Sequence, residues 1–469
     1  MSKAPNILFI VADQLRARSV GCYGDVRART PVLDRLASQG ARFSAAYSTY
    51  PVCTAARASI QTGLMPTSCH MVWNNQTLEP RYPRLAPSLA GAGYRTAYVG
   101  KWHLGGYDGE PGRDYHVPIK RSHRHGWDDL FLITHGEDYR PGHTPTLVGD
   151  TPEQKFDQWQ PTWQSDRAIE FLQKQAGARP WILNLNYAIP HTPYLMPQKY
   201  LEMFRPEDSV FPPNVERPAE HAKELALYNG LTAWLDDEIG RVLSALEATS
   251  GGRPTLVVFT SDHGWNLGSH HLPAKFSLYE ESACVPLIIA ECPVASGVPP
   301  VPMNLPSGRI INEPVSLIDL MPTLLDSAGV PVPGSVEGSS LRPLWTGGAW
   351  TRRSVYLQVC EHPEHNYARW DPPSRGVRSI RYKYIERRGG QKLLFDLRAD
   401  PFELTNLADQ PELAAVVADH QRELENWRTR IHDPWPGSDI DGIYYSVPDN
   451  VFGEFQQNPR NPPLPEQPC

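Results

Sequence analysis

The sequence predicts an α/β protein: a mostly parallel, doubly wound sheet flanked by helices, with a smaller antiparallel sheet and a helix toward the C-terminus. Three observations carry this. Short apolar runs alternate with helical patterns over about the first 340 residues, the signature of strands covered by helices on both faces. Three such runs end directly in polar clusters, Asp13-Gln14, Lys101-Trp102-His103 and Asp262-His263, and a cluster at His191 follows a fourth run closely. Strand ends on one side of an open sheet converge, so these distant segments are expected to build one site. After residue 345 the texture changes to short strand patterns and a single helix.

Residues 6–12, a continuous apolar run, read as a buried strand. Thr30-Pro31 reads as the capped start of a helix that stops at Gly40. Residues 86–92 read as a helix ended by Gly93, and 95–99 as the strand before Lys101. Residues 181–187 form the strand before Pro190-His191-Thr192-Pro193. Between 221 and 248, Leu225, Tyr228, Leu231, Leu235, Ile239, Val242 and Leu246 make one helical stripe. Residues 255–260 and 285–290 read as strands, and 315–328 as a helix stopped by Gly329. Short strands are expected at 354–359, 378–386 and 392–396, and a helix at 409–427. The division expected is a catalytic α/β domain over 1–345 and a smaller α+β subdomain with a Pro-rich tail over 346–469.

The 469 residues are 40% hydrophobic and 21% charged, with net charge -7 and mean hydropathy -0.44. That composition fits a soluble protein with a large core and offers nothing to nucleic acid or to a membrane. The N-terminus runs straight into the first strand without a cleavable leader pattern, so the cytoplasm is the expected location. The seven cysteines are odd in number and scattered, which argues against a disulfide framework or a zinc cluster. Prolines gather at 297–306, 331–333 and 458–468, in loops and a tail that has the length to reach a neighbouring subunit in a homo-oligomer.

Asp13, Asp262 and His263 are candidate metal ligands. Carboxylate oxygens suit a hard cation such as Ca²⁺, and the imidazole nitrogen also suits Mn²⁺. Lysines and histidines taken singly are more often surface charges and core residues. It is their recurrence at strand ends that singles out Lys101, His103 and His191.

The string Cys53-Thr54-Ala55-Ala56-Arg57, followed by Thr62-Gly63, resembles the signature of the type I sulfatases of the alkaline-phosphatase-like superfamily. Ala55 and Ala56 stand where that signature has Pro and Ser. The similarity continues in order through Ser261-Asp262-His263-Gly264, Lys275, Tyr279-Glu280-Glu281-Ser282, Leu394-Phe395-Asp396-Leu397, Asp400-Pro401 and Thr405-Asn406-Leu407. The resemblance implies that a formylglycine-generating enzyme converts Cys53 to formylglycine, whose hydrate attacks sulfur. It implies one divalent cation, Ca²⁺ first and Mn²⁺ second, on Asp13, Gln14, Cys53, Asp262 and His263, with Gln14 where many members carry Asp. It implies that Arg57 steadies the formylglycine, Lys101 and Lys275 bind sulfate oxygens, His103 manages the hydroxyl, and His191 lies by the leaving-group oxygen.

The implied activity is hydrolysis of a sulfate ester, an aryl sulfate or a sulfated sugar, to inorganic sulfate and an alcohol. Two alternatives stay open: a phosphonate monoester hydrolase or phosphodiesterase of the same superfamily, suggested by Asp13-Gln14, and a non-catalytic homologue with unmodified Cys53. The Lys101–His103 pair favours the sulfatase. Trp73, Asn74, His116 and residues 361–375 are candidates for selectivity.

Overall fold

The computed structural model describes residues 4–74, 76–105, 123–133, 139–142, 145–148, 151–155, 157–175, 179–249, 253–292, 305, 307–360, 371–433 and 435. The expected selectivity residue His116, the stretch 361–370 and the C-terminal tail lie outside them.

The chain runs β1 (Asn6–Ala12), α1 (Pro31–Gln39), β2 (Ala41–Tyr47), α2 (Cys53–Thr62), α3 (Leu85–Gly91), β3 (Arg95–Lys101), β4 (Asp129–Ile133), β5 (Pro145–Val148), β6 (Thr151–Lys155), α4 (Gln160–Lys174), β7 (Trp181–Asn186), α5 (Gln198–Leu201) and α6 (Pro218–Thr249). It continues through β8 (Thr255–Ser261), α7 (Glu280–Ala283), β9 (Cys284–Cys292), β10 (Arg309–Ile311), β11 (Val315–Ser316), α8 (Leu320–Ser327), α9 (Pro343–Thr346), β12 (Ser354–Val359), β13 (Ser374–Ser379), β14 (Tyr382–Arg387), β15 (Lys392–Asp396) and α10 (Ala414–Ile431). The large sheet has the order β10-β2-β9-β8-β1-β7-β3-β4-β5-β6, with β11 also on β2. Its centre is parallel, with β1 between β7 and β8 and β3 between β7 and β4. β9 runs antiparallel to both β2 and β8. This is the mostly parallel, helix-flanked α/β architecture that the sequence predicts.

β1 is central because both its faces are apolar. Ile7, Phe9 and Val11 join α2, α3 and α8 in one core, and Leu8, Ile10 and Ala12 join α1, α4 and α6 in the other. Each large side chain of β1 that is wholly removed from water contributes roughly 1.5–3 kcal/mol. No helix among the described residues is long and apolar enough to cross a membrane.

The second sheet, β12-β13-β14-β15, is antiparallel throughout. Alternation along its strands gives it two apolar faces. Tyr356, Val377, Tyr384 and Leu394 pack on Val417, Leu424, Trp427 and Ile431 of α10. Val355, Leu357, Ile385 and Phe395 face the other way, onto Tyr47, Tyr50, Val52 and Ala55. The small sheet therefore backs the segment that leads into α2.

Three local readings change. Residues 315–328 are not one helix: Ser316 and Asp319 form a capping box, with the Ser316 N–H donating to Asp319 Oδ2 at 2.7 Å, and α8 starts only after it. Thr30 does not cap α1. Its hydroxyl accepts from the Gly21 N–H, and Asp236 of α6 instead accepts from Val32 and Leu33, both at 2.9 Å. The expected strand at 378–386 is the hairpin of β13 and β14.

Candidate active site

Every sequence-predicted site residue but one lies at the C-terminal edge of the parallel strands or at the start of α2. Asp13 follows β1, Lys101 ends β3 and His103 follows it, His191 follows β7, and Asp262 and His263 follow β8. Lys275 arrives from the long connection between β8 and β9.

Cys53 is the first residue of α2 and is 1% exposed. Its Sγ lies 3.1 Å from His263 Nε2, 3.1 Å from Lys275 Nζ and 3.8 Å from Asp13 Oδ1. The N–H of Thr54, one of the amides at the open start of the helix, donates to Asn74 Oδ1 at 3.2 Å. A group at position 53 thus meets the positive end of the helix and an ammonium together.

The carboxylates use their oxygens differently. Asp13 Oδ2 receives Lys101 Nζ at 2.7 Å and Arg57 Nη2 at 3.1 Å, and Arg57 Nη2 is also 3.0 Å from Asp262 Oδ2. Asp13 Oδ1 and Asp262 Oδ1 lie 3.8 and 3.7 Å from His263 Nε2. Asp13, Cys53, Asp262 and His263 bring one donor atom each within 4.8 Å of one another. Arg57 also donates to the Lys101 carbonyl at 3.2 Å and to Asn186 Oδ1 at 3.1 Å, so it ties β1, β3, β7 and β8 together beneath the cluster. Its hydrogen bonds thus go to Asp13, the Lys101 carbonyl and Asn186, a residue the sequence motifs do not point to, and it pairs with Asp262 by charge.

Burial raises the Asp13 carboxyl, but Lys101, His191, Arg57 and His263 outweigh it and hold the group well below the usual carboxylate range. Burial takes His263 down to about 4 against the pull of Asp262. Its Nδ1–H donates to the Gly264 carbonyl at 2.8 Å, which leaves the Nε2 lone pair facing the cluster. Burial lowers Lys275, yet Cys53 and Asp13 prevail and hold it above its ordinary value. His191 donates through Nδ1 to the Thr192 carbonyl at 2.6 Å and presents Nε2 to Lys275 Nζ at 3.2 Å.

His103 sits at φ 58, and its carbonyl accepts from the Thr54 hydroxyl at 3.0 Å. Gln14 is fully buried at φ 67, and among the described residues neither side-chain polar atom has a hydrogen-bond partner. Gly100 is required where β3 meets β7: at φ 105, an added Cβ would lie 1.9 Å from the Asn186 carbonyl oxygen.

Two family patterns match: Sulfatase over residues 5–330, and the C-terminal region of N-sulphoglucosamine sulphohydrolase over residues 268–430. An ulvan-active sulfatase of Formosa agariphila is 31% identical over 96% of this chain and 85% of its own. A solved structure of a protein bound to its substrate D-glucosamine-2-N,6-O-disulfate superposes with TM-score 0.79 at 23% identity, covering 92% of this chain and 99% of that one. The phosphonate monoester hydrolase of Agrobacterium radiobacter shares the fold at TM-score 0.74 and 24% identity, covering 91% and 96%. A family match over most of the length, on top of a cysteine-bearing helix start ringed by cations and acids, means that the chain belongs to the sulfatase family, a family of sulfuric ester hydrolases.

Proposed function

We propose that this chain cleaves a sulfate ester with a hydrated formylglycine made from Cys53, assisted by one divalent cation, and that its substrate is a sulfated sugar. The observation that carries the reading is the setting of Cys53: a buried group at a helix start, with Lys275 on one side and the Asp13–Asp262–His263 donors on another.

The donor set fits a hard cation with one exception. Two carboxylate oxygens and an imidazole nitrogen suit Ca²⁺ or Mn²⁺, whereas a sulfur at position 53 is a soft donor that suits neither. An oxygen there, as in an aldehyde hydrate, removes the mismatch, and the unpartnered Gln14 Oε1 is a further oxygen at hand. Asp13, Gln14, Asp262, His263 and residue 53 would hold the ion, whose charge lowers the pKa of a nearby hydroxyl. The hydrate offers a second hydroxyl, which lets sulfate leave without water attacking a hindered ester.

The remaining work falls to side chains of this chain. Lys275 and Lys101 place ammonium groups where sulfate oxygens gain negative charge. Arg57 bridges Asp13 and Asp262 and offsets their mutual repulsion. His191, oriented by the Thr192 carbonyl, shares a proton with Lys275 and can deliver it to the departing oxygen. Sugar substrates are supported by relatives: one is a Δ4,5-hexuronate-2-O-sulfatase and another an N-acetylglucosamine-6-O-sulfatase, both of Bacteroides thetaiotaomicron.

The test is mass spectrometry of tryptic peptide 43–57, paired with turnover. Conversion replaces a thiol and a hydrogen by a carbonyl oxygen, so the active protein should yield a lighter peptide that hydrazides trap. Fully active protein with only intact cysteine there would sink the reading. Gln14 and the phosphonate hydrolase fold favour a second reading, cleavage of phosphonate monoesters. The ratio of sulfate to phosphonate ester turnover decides between them.

A further inference from the structure

Beside the loop that follows β1, and apart from the Cys53 cluster, lies a cavity of about 600 Å³. None of Asp13, Cys53, Lys101, His191, His263 or Lys275 lines it. Four guanidinium side chains do: Arg16, Arg18, Arg27 and Arg42. Among the described residues, none of the four is ion-paired to a carboxylate. Arg16 is 6% exposed; its Nε donates to Ser19 Oγ at 2.7 Å, and among the described residues no hydrogen bond occupies the two terminal nitrogens of its fork. A buried guanidinium without a counter-charge is costly, and a fork facing a cavity is a receptor for an oxyanion.

Two of the arginines are held in place by rings. Arg18 lies 4.3 Å from the Phe402 ring centroid, with Nη2 donating to the Pro401 carbonyl at 2.5 Å, and Arg42 lies 4.9 Å from the Tyr23 ring. Stacking fixes the plane of a guanidinium while leaving its edge donors for a ligand. Carboxylates also line the space. Glu280 meets Lys383 at 2.7 Å and the Tyr47 hydroxyl at 2.9 Å, Glu281 accepts from Asn214 at 2.8 Å through one oxygen while the other lies 3.7 Å from His270 Nε2, and Asp25 accepts from the Arg27 N–H at 2.9 Å, so the four guanidinium groups outnumber the three carboxylates. The wall includes Val26 and Val210, 96% and 60% exposed, so an organic body beside the anion finds apolar contact.

We infer that this cavity is a second oxyanion site, separate from the reacting centre, that takes a sulfate or carboxylate group. The anion comes either from a second charged group of a polyanionic saccharide substrate, a source that rests on the reading proposed above, or from free inorganic sulfate. The shared chemistry is an oxyanion gripped by Arg16, Arg18 and Arg42.

The experiment is equilibrium titration of the full chain with sodium sulfate, on the wild type and on the R18Q/R42Q double variant. The wild type should show two classes of site. The variant should lose one, or bind there at least about tenfold more weakly, given what charge-assisted hydrogen bonds contribute. Its turnover of a small aryl sulfate should stay within about twofold, since neither arginine touches the reacting centre. If KM for a multiply sulfated oligosaccharide rises about tenfold in the variant, the anion belongs to the substrate. An unchanged KM with the site lost means that it is free sulfate. A single class in the wild type, or two undiminished classes in the variant, overturns the inference. Should the double variant fail to fold, Arg27→Gln at the exposed rim weakens the same class, and an unaltered isotherm there counts against the site. Loss of the Cys53 class alone on Cys53→Ala leaves this site standing and separates the two readings.

Discussion

Arg57→Met isolates the electrostatics beneath the cluster. In the wild type one guanidinium nitrogen lies 3.1 Å from Asp13 Oδ2 and 3.0 Å from Asp262 Oδ2, and both aspartates are fully buried. Methionine fills the space and leaves two buried carboxylates with Lys101 on only one of them. Removing one partner of a buried ion pair costs about 3–5 kcal/mol, because the charge left behind has no water to solvate it. The loss should be largest in chelator. A divalent cation placed among the same donors restores counter-charge, and its binding to the folded state adds stability by mass action. We expect urea denaturation, followed by tryptophan fluorescence, to show Arg57→Met destabilised by about 3–5 kcal/mol in EDTA and by clearly less in millimolar calcium. The variant should also bind calcium more tightly than the wild type, since the site has gained net negative charge. Wild-type stability of the variant in EDTA, or an identical loss with and without calcium, would refute the argument.

Lys275→Ala should lower kcat/KM roughly 10²–10³-fold, the usual effect of deleting one donor to developing charge, while peptide 43–57 stays converted. Equal turnover would remove Lys275 from the site. Gly100→Ala forces a Cβ to 1.9 Å from the Asn186 carbonyl at φ 105, so it should cost about 3 kcal/mol or more and misplace Lys101; a normal melting temperature would contradict the packing described. His270 is held by burial at about 4 in the fold against 6.5 when free, stacked on Tyr279 at 3.7 Å. The unfolded chain therefore takes the proton first. Its contribution to stability is complete above about 6.5 and fades as pH falls toward 4, reaching about 2 kcal/mol of loss at pH 5. His270→Gln should flatten that part of the stability–pH curve, and an unchanged slope would exclude His270 as its source.

Much of the site was legible because its residues stand where apolar runs stop. Asp13, Lys101 and Asp262 each close a strand whose core side chains announce it. Asn186 left a readable signal that went unused. Two asparagines interrupt the run Trp-Ile-Leu-Asn-Leu-Asn of β7, and polar side chains buried in a strand need partners. Asn74 is among the selectivity candidates the sequence offers, but its bond to Thr54 is set only by tertiary folding of an aperiodic loop. β2 hid behind its small residues, Ala-Arg-Phe-Ser-Ala-Ala-Tyr, which carry little hydrophobic contrast until β9 pairs with them. The capping of α1 by Asp236 was beyond local reading, since propensity favoured the adjacent Thr30 over a carboxylate some two hundred positions away.

The small sheet backing α2 sets a clock on anything that must reach Cys53. In the finished fold that residue is 1% exposed, and the segment before it is pressed between the two sheets. β12 begins at Ser354, so about 300 residues must still be synthesised after Cys53 before its backing exists, which at about 5–20 residues per second is on the order of 15–60 s. A modifying enzyme that needs Cys53 exposed has at least that interval, and acts before the small sheet closes on the segment. Slowing the ribosome between the two points should raise the modified fraction, and speeding closure of the C-terminal third should lower it.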